Sequence, residues 1–491
     1  MILALLFVPT LGGALAFGLR SQLLRRLSIV LAALLHAALT AVAWVRPPAP
    51  AWNGALALDA PGLLFLSITS ALFLAAAFYA VGYLQREGSG RRADLEEGFL
   101  FANQPEAVFA GCLLLFLATM TLVTLSQNFV VLWIAVEATT LASAPLIYFH
   151  RQHRSLEATW KYLMVCSVGI GLALLGTFFL SVAATGPGGR QVPLLLGELV
   201  ARAGELDDSW LELAFVLLLV GYGTKMGLAP LHTWLPDAHS ESPSVVSALM
   251  SGALLNCAFL GILRAYQVCG AAGLAERCGG LLTVFGLVSL ALAAVFLVGQ
   301  LDYKRLLAYS SVEHMGILSL GVGLGGTATF GALLHAVNHS LAKAMLFLAA
   351  GNILAVYRTK SARDVRGVAA VVPVSGALWI AGLLAITGSP PFGTFLSEFT
   401  ILRGALAQGR FIVATVYLAL LGLIFVAMSS VMLRMVQGEP PAAEHAARRR
   451  EPLLAVWPPA VLGLGVLLLG VYVPPALEQL LRAASAALGP R

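Results

Sequence analysis

Polar residues are scarce along this chain, and their positions divide it into apolar stretches of one recurring length. A helix that crosses a bilayer needs about 20 mostly apolar residues. The pattern predicts fourteen such spans, with approximate cores at residues 1–19, 27–45, 60–84, 108–125, 127–149, 160–184, 211–238, 243–267, 279–299, 305–323, 328–356, 370–402, 411–435 and 453–475. Two of them, the seventh and the twelfth, carry helix-breaking residues inside: Gly227 and Pro230 in one, Gly388, Pro390 and Pro391 in the other. Proline removes a backbone donor and frees a carbonyl, so both are expected to be broken helices. The expected fold class is all-α, a polytopic membrane protein.

The two breaks resemble each other. Gly227 to Asp237 and Gly388 to Glu398 share Gly, Pro, Thr and Leu at a constant offset of 161, and each closes on an acid. That offset fits five spans, and an odd number reverses direction across the membrane. Residues 108–267 and 279–435 are therefore expected to be inverted five-helix repeats. Residues 1–100 would supply three preceding spans, and 453–491 a last span and tail. Paired broken helices in corresponding positions mark the site in transporters built from repeats.

Composition sharpens this. Hydrophobic residues make up 59% and charged ones 11%, with mean hydropathy +0.88, against about 25% charged in a soluble domain. A soluble enzyme, a disordered chain and a nucleic-acid binder are excluded. Lys and Arg concentrate in cytoplasmic loops. With the N-terminus outside, the inner loops hold nineteen: Arg20, Arg25, Arg26, Arg86, Arg91, Arg92, Arg151, Arg154, Lys161, Lys304, Arg305, Arg358, Lys360, Arg363, Arg366, Arg434, Arg448, Arg449 and Arg450. The outer side holds nine: Arg46, Arg190, Arg202, Arg264, Arg277, Arg403, Arg410, Arg482 and Arg491. Both termini are expected on the periplasmic side of a bacterial cytoplasmic membrane. The N-terminus is apolar from its second residue and lacks a basic leader region, which favours a first span over a cleaved signal peptide. The five cysteines form no CxxC pair and read as small apolar residues.

Against this background a few ionisable groups stand out, because a charge inside a bilayer is costly and points to function. Glu137 lies 13 residues before His150, so about 20 Å deep at 1.5 Å per residue. Lys225, Lys343 and Glu398 also fall inside spans. His335, His339 and Lys343 follow each other at four-residue steps and share one helix face. Neutral imidazole takes a proton on one nitrogen and gives one from the other, so this stripe reads as a proton wire. Structural ion pairs are the alternative, although buried pairs add little net stability. Two histidines one turn apart on one helix cannot clasp opposite faces of a haem iron.

On these residues the chain resembles the antiporter-like, proton-translocating membrane subunits of respiratory complex I, the multi-subunit cation/proton antiporters and the membrane-bound group 4 nickel–iron hydrogenases. The resemblance covers about residues 60–440. It rests on Trp133 to Glu137, Lys225 to His239, Asp302 to Gly316, and the stretch from His335 to Lys343. The segments around Glu137, Lys161 and Asn256 are most similar to the component F branch of hydrogenase-4 and formate hydrogenlyase type complexes. The resemblance implies fourteen core helices with helices seven and twelve broken. It implies that Glu137 pairs with Lys225, that His335, His339 and Lys343 form a relay, and that Glu398 ends it. Relatives usually carry a protonatable residue where Asn256 stands. Water passing it, His232 or His239 substituting, and a weakened wire all stay open. Glu313 and His314 are a second departure, an extra carrier or a fixed pair.

The resemblance implies no cofactor or metal in this chain and leaves electron transfer to partners. These would be other membrane-arm subunits and a peripheral redox arm of Fe–S proteins, with a nickel–iron hydrogenase as one candidate. Three rivals remain at this stage: a Na⁺/proton antiporter subunit, a haem- or quinone-binding electron-transfer subunit, and a non-pumping scaffold.

Overall fold

The computed structural model describes residues 1–87, 90, 92–93, 98, 100–185, 191–439 and 449–489. Arg91, Arg190, Arg448 and Arg491 of the loop tally lie outside the described residues. Spans one to six are Ile2–Gly18, Gln22–Val45, Ala60–Glu87, Glu106–Leu125, Phe129–Ile147 and His153–Ala183. Span seven is split into Asp208–Met226 and Trp234–Glu241. Span eight, Ser244–Ala271, contains a π-helical turn at Met250–Leu254. Spans nine to eleven are Ala275–Leu297, Tyr303–Leu324 and Thr327–Tyr357. Span twelve is split into Pro373–Ile386 and Gly393–Ala407, and Phe411–Val436 and Leu453–Val471 complete the set. Eleven of these helices are long and apolar enough to cross a membrane by length and composition. Ile2–Gly18 and the halves of span twelve are shorter, and Tyr303–Leu324 carries Lys304, Arg305 and Glu313.

The tail is a further helix, Pro475–Ala487, which buries Leu480, Leu481 and Ala484. Carboxamide and carboxylate caps start the spans that matter most. Asn128 Oδ1 accepts from the Val130 and Val131 amides, and Asp302 Oδ1 from those of Lys304 and Arg305. Span eight is buried along its whole length, whereas spans two and thirteen are peripheral. Side chains such as Met164, Val168, Ile412 and Val426 form the exposed apolar belt that lipid covers.

Glycine lets the helices approach where polar groups must be held. A Cβ on Gly169 would meet Thr224 at 2.6 Å, and one on Gly221 would meet the Ala173 amide at 2.5 Å, locking span six to span seven just before Lys225. Gly286 and Gly316 meet reciprocally, with each Cβ 2.7 Å from the other's carbonyl, and seat span ten against span nine close to Glu313 and His314.

Two basic residues assigned to loops by their spacing are buried instead. Arg264 is fully enclosed in span eight and forms a bidentate pair with Asp59, which precedes span three. Its apolar sequence neighbours place it near a span end, but Asp59 is 205 positions away and invisible to a local reading. Burial alone would raise the Asp59 carboxyl, but the Arg264 guanidinium, the Gly62 amide and Gln127 hold it below its ordinary value. A carboxyl lowered by folding adds stability above its unfolded pKa of about 4, and that stability is lost as pH falls through the lower folded value. Asp59→Asn is expected to remove about 3 kcal/mol of stability near neutral pH, as a buried charge left unpaired does, and to flatten the acid loss expected of the parent. Thermal unfolding in detergent at neutral and acidic pH checks this; coincident curves for both proteins would contradict it.

Candidate functional site

Lys225 occupies the last turn of the first half of span seven. The helix stops at Met226 because Gly227 takes φ 85, a left-handed cap. The freed Thr224 carbonyl accepts from the Trp234 indole at 2.8 Å. In span twelve Gly388 takes φ 62, and the Thr394 hydroxyl donates to the freed Ala385 carbonyl. Gly227 and Gly388, and Thr224 and Ala385, stand at the same offset of 161 noted in the sequence. Cis bonds at Ala229–Pro230 and Pro390–Pro391 complete the two breaks.

The Lys225 ammonium is fully buried and donates to Thr140 Oγ1 at 2.8 Å and to the Tyr162 hydroxyl at 2.5 Å. Thr140 in turn donates to Glu137 Oε2 at 3.2 Å. Glu137 and Lys225 therefore do not form a direct ion pair; one hydroxyl stands between them. Tyr162 donates to Ser143 Oγ at 2.7 Å, since the Ser143 proton is committed to the Thr139 carbonyl. Glu137 is half-buried, and it shares the outward stripe of span five with Val130, Ile134 and Leu141, all exposed. Thr140 and Tyr162 were not singled out by the sequence. Their signal was available: Thr140 lies one turn after Glu137 on the same helix.

The second constellation lies in spans ten, eleven and twelve. His314 Nδ1 and His335 Nε2 are 2.8 Å apart, and His335 Nδ1 is 2.9 Å from Ser397 Oγ. Ser397 donates its proton to the Thr394 carbonyl at 2.8 Å. His335 Nδ1 must therefore be the donor to Ser397, its Nε2 the acceptor, and His314 Nδ1 the donor to it. A directed chain runs from His314 through His335 and Ser397 to the break in span twelve. His339 lies beside His314, ring centroids 4.8 Å apart and planes tilted by 42°, and Lys343 donates to the Leu307 carbonyl at 2.7 Å. Glu313 accepts from Ser310 and is the carboxylate in electrostatic reach of Lys343. Glu398 is buried with Oε1 lacking a hydrogen-bond partner, and its Oε2 fills the place a Cβ on Gly388 would take.

Between the two constellations the structure places Asn256. Its amide donates to Ser340 Oγ at 2.8 Å and to the Gly252 carbonyl at 2.9 Å, so it joins span eight to span eleven and caps a carbonyl of the π-turn. Ser251 and Ser311, 2.8 Å apart, add a second polar contact across the centre. His239 is buried against Phe347 with neither ring nitrogen bonded. His232 sits in the loop of span seven, on the wall of a cavity of about 810 Å³ also lined by Lys161, Asp237, Arg305 and Tyr309. Lys304, counted above among loop residues, is buried; its ammonium donates to the Ser240 and Ser242 carbonyls at 2.9 and 2.6 Å, where the second half of span seven ends. A cation there satisfies helix-end carbonyls and complements the dipole. The apolar pattern starts span ten at 305, which leaves Lys304 in the preceding loop, whereas the helix begins at Tyr303.

Comparison with known proteins agrees with this architecture. Residues 126–429 match the family described as NADH:quinone oxidoreductase/Mrp antiporter, transmembrane region. The chain is 36% identical over 428 residues to a hydrogenase-4 component F homolog of Methylacidiphilum infernorum, covering 86% of each. It is 30% identical over 442 residues to NADH-quinone oxidoreductase subunit N of Desulforudis audaxviator, covering 86% of this chain and 83% of the relative. In fold it is similar to a chain of the membrane-bound sulfane sulfur reductase, an archaeal respiratory membrane complex, with TM-score 0.86 at 19% identity over 99% and 97% of the two chains. The chain is thus a member of the transmembrane family that NADH:quinone oxidoreductases and Mrp antiporters share.

Proposed function

We propose that this chain is the proton-translocating membrane subunit of a multi-subunit, redox-driven complex of the hydrogenase-4 or complex I kind. The observation that carries the reading is the buried Lys225 ammonium, reached from a carboxylate through one hydroxyl. A structural pair would place the two charges in contact; a relay places a switchable hydroxyl between them. The second constellation supports it, because a directed histidine–histidine–serine chain is costly to bury and suited to passing protons.

In this reading Glu137 is the input. Its half-buried carboxylate accepts from Thr140 and from Ser167 of span six, on the helix stripe of the exposed Val130, Ile134 and Leu141, where a neighbouring membrane subunit would reach it. A buried ammonium depends on nearby carboxylate and hydroxyl groups to stay charged. When Glu137 turns toward the neighbour, Thr140 loses its acceptor, Lys225 loses stabilisation, and its proton is released toward the centre. Water passing Asn256, Ser340, Ser251 and Ser311 carries it to Lys343, and His339, His314, His335 and Glu398 pass it on. The cavity beside His232 reloads Lys225 from the basic, cytoplasmic face. Both termini lie on the opposite, periplasmic face of the bacterial cytoplasmic membrane, and residues 108–267 and 279–435 are inverted copies around the two breaks. Redox chemistry belongs to a peripheral arm of Fe–S proteins. The nitrogen-rich set inside the membrane suits protons better than Na⁺, which wants several oxygen ligands.

In vesicles carrying the assembled complex, Lys225→Ala is expected to abolish coupled proton movement. Glu137→Gln should slow it about tenfold or more, the cost of about 1.4 kcal/mol at the barrier. Full pumping by both variants would overturn the model. His339→Ala combined with Lys343→Ala should also slow proton movement while redox turnover by the partner arm persists uncoupled; unchanged coupling would remove that stripe from the path.

A further inference from the structure

We propose that His314, His335 and Glu398 form a binding site for a divalent transition-metal ion of the zinc type, and that an ion held there closes the proton path. The closing effect rests on the reading above; the site itself does not. One ligand atom from each of the three residues lies within 4.8 Å of the others, and all three are buried. Donors at about 2.0–2.1 Å around a tetrahedral ion stand a little over 3 Å apart, so small side-chain adjustments close the set around one ion. His314 Nδ1 and His335 Nε2 are already 2.8 Å apart.

Two independent features point the same way. Glu398 Oε1 is buried without a hydrogen-bond partner, so the carboxylate has unused capacity on the cluster. His335 Nδ1 is held by Ser397, whose own proton is fixed on the Thr394 carbonyl. That outer hydrogen bond fixes the ring and leaves the Nε2 lone pair facing the cluster, as metal-binding histidines require. Two imidazoles and one carboxylate suit Zn²⁺ or Co²⁺, whereas Mg²⁺ and Ca²⁺ prefer oxygen alone.

Occupancy would use the lone pairs that otherwise relay the proton. His314 would shift its ring proton or turn to present a free nitrogen, and any proton on Glu398 would leave as the ion binds. The path would then be blocked at the break in span twelve.

The full chain, purified in detergent on a histidine-free tag, is titrated with Co²⁺. A visible d–d absorption band displaced by Zn²⁺ is expected, without the thiolate charge-transfer band that binding at a cysteine would give. The band should be lost in His335→Gln and in Glu398→Gln. Ser397→Ala keeps all three ligands and should weaken Zn²⁺ about tenfold, as loss of an outer-shell partner does. No band in the parent chain, a thiolate band, or an unchanged band in both ligand variants would overturn the site. In vesicles of the assembled complex, Zn²⁺ is expected to stop proton movement. A Co²⁺ band lost in the ligand variants, together with full proton movement at saturating Zn²⁺, would leave the site standing and overturn its place on the path.

Discussion

An ammonium group buried in an apolar bundle must be neutralised, hydrogen-bonded or discharged, and the Lys225 site is built around that demand. Thr140 and Tyr162 supply oxygens at 2.8 and 2.5 Å, while the carboxylate is kept one hydroxyl away. This arrangement stabilises the charge without fixing it. A direct pair would be hard to open, since breaking a buried pair costs about 3–5 kcal/mol. A bridging hydroxyl lets Glu137 move while the ammonium keeps part of its support.

The rest of the structure serves that placement. Gly169 and Gly221 bring spans six and seven together so that Tyr162 reaches the ammonium. Gly227 ends the helix at Met226, and Trp234 satisfies a carbonyl the break exposes. The same device recurs in span twelve, where Gly388 makes room for Glu398 and Thr394 covers the matching carbonyl. Each constellation is thus held at a break in a helix, and span eight joins them through Asn256, which anchors to Ser340 without itself titrating.

Much of this was legible in the sequence. The fourteen spans follow from hydropathy because a bilayer allows few alternatives to an apolar helix. The breaks followed from Gly and Pro, and the intramembrane charges from their rarity. Hidden from the sequence were contacts between distant spans. Arg264 looked like a loop residue until Asp59 was found beside it, and Lys304 until the Ser240 and Ser242 carbonyls were. Spacing places His335, His339 and Lys343 on one face, but it does not show that His314 and Ser397, from two other spans, hydrogen-bond to His335. Nothing but its place one turn after Glu137 marks Thr140 in the sequence, because hydroxyls are common in apolar helices and carry no charge.

The central claim is that Glu137 acts on Lys225 through Thr140. A double-mutant cycle in vesicles carrying the assembled complex measures this directly, comparing coupled proton movement in Glu137→Gln, Thr140→Val and the two combined. The account predicts that the double variant is no slower than the slower single variant, because both substitutions cut one connection. Independent effects that multiply in the double variant would contradict it.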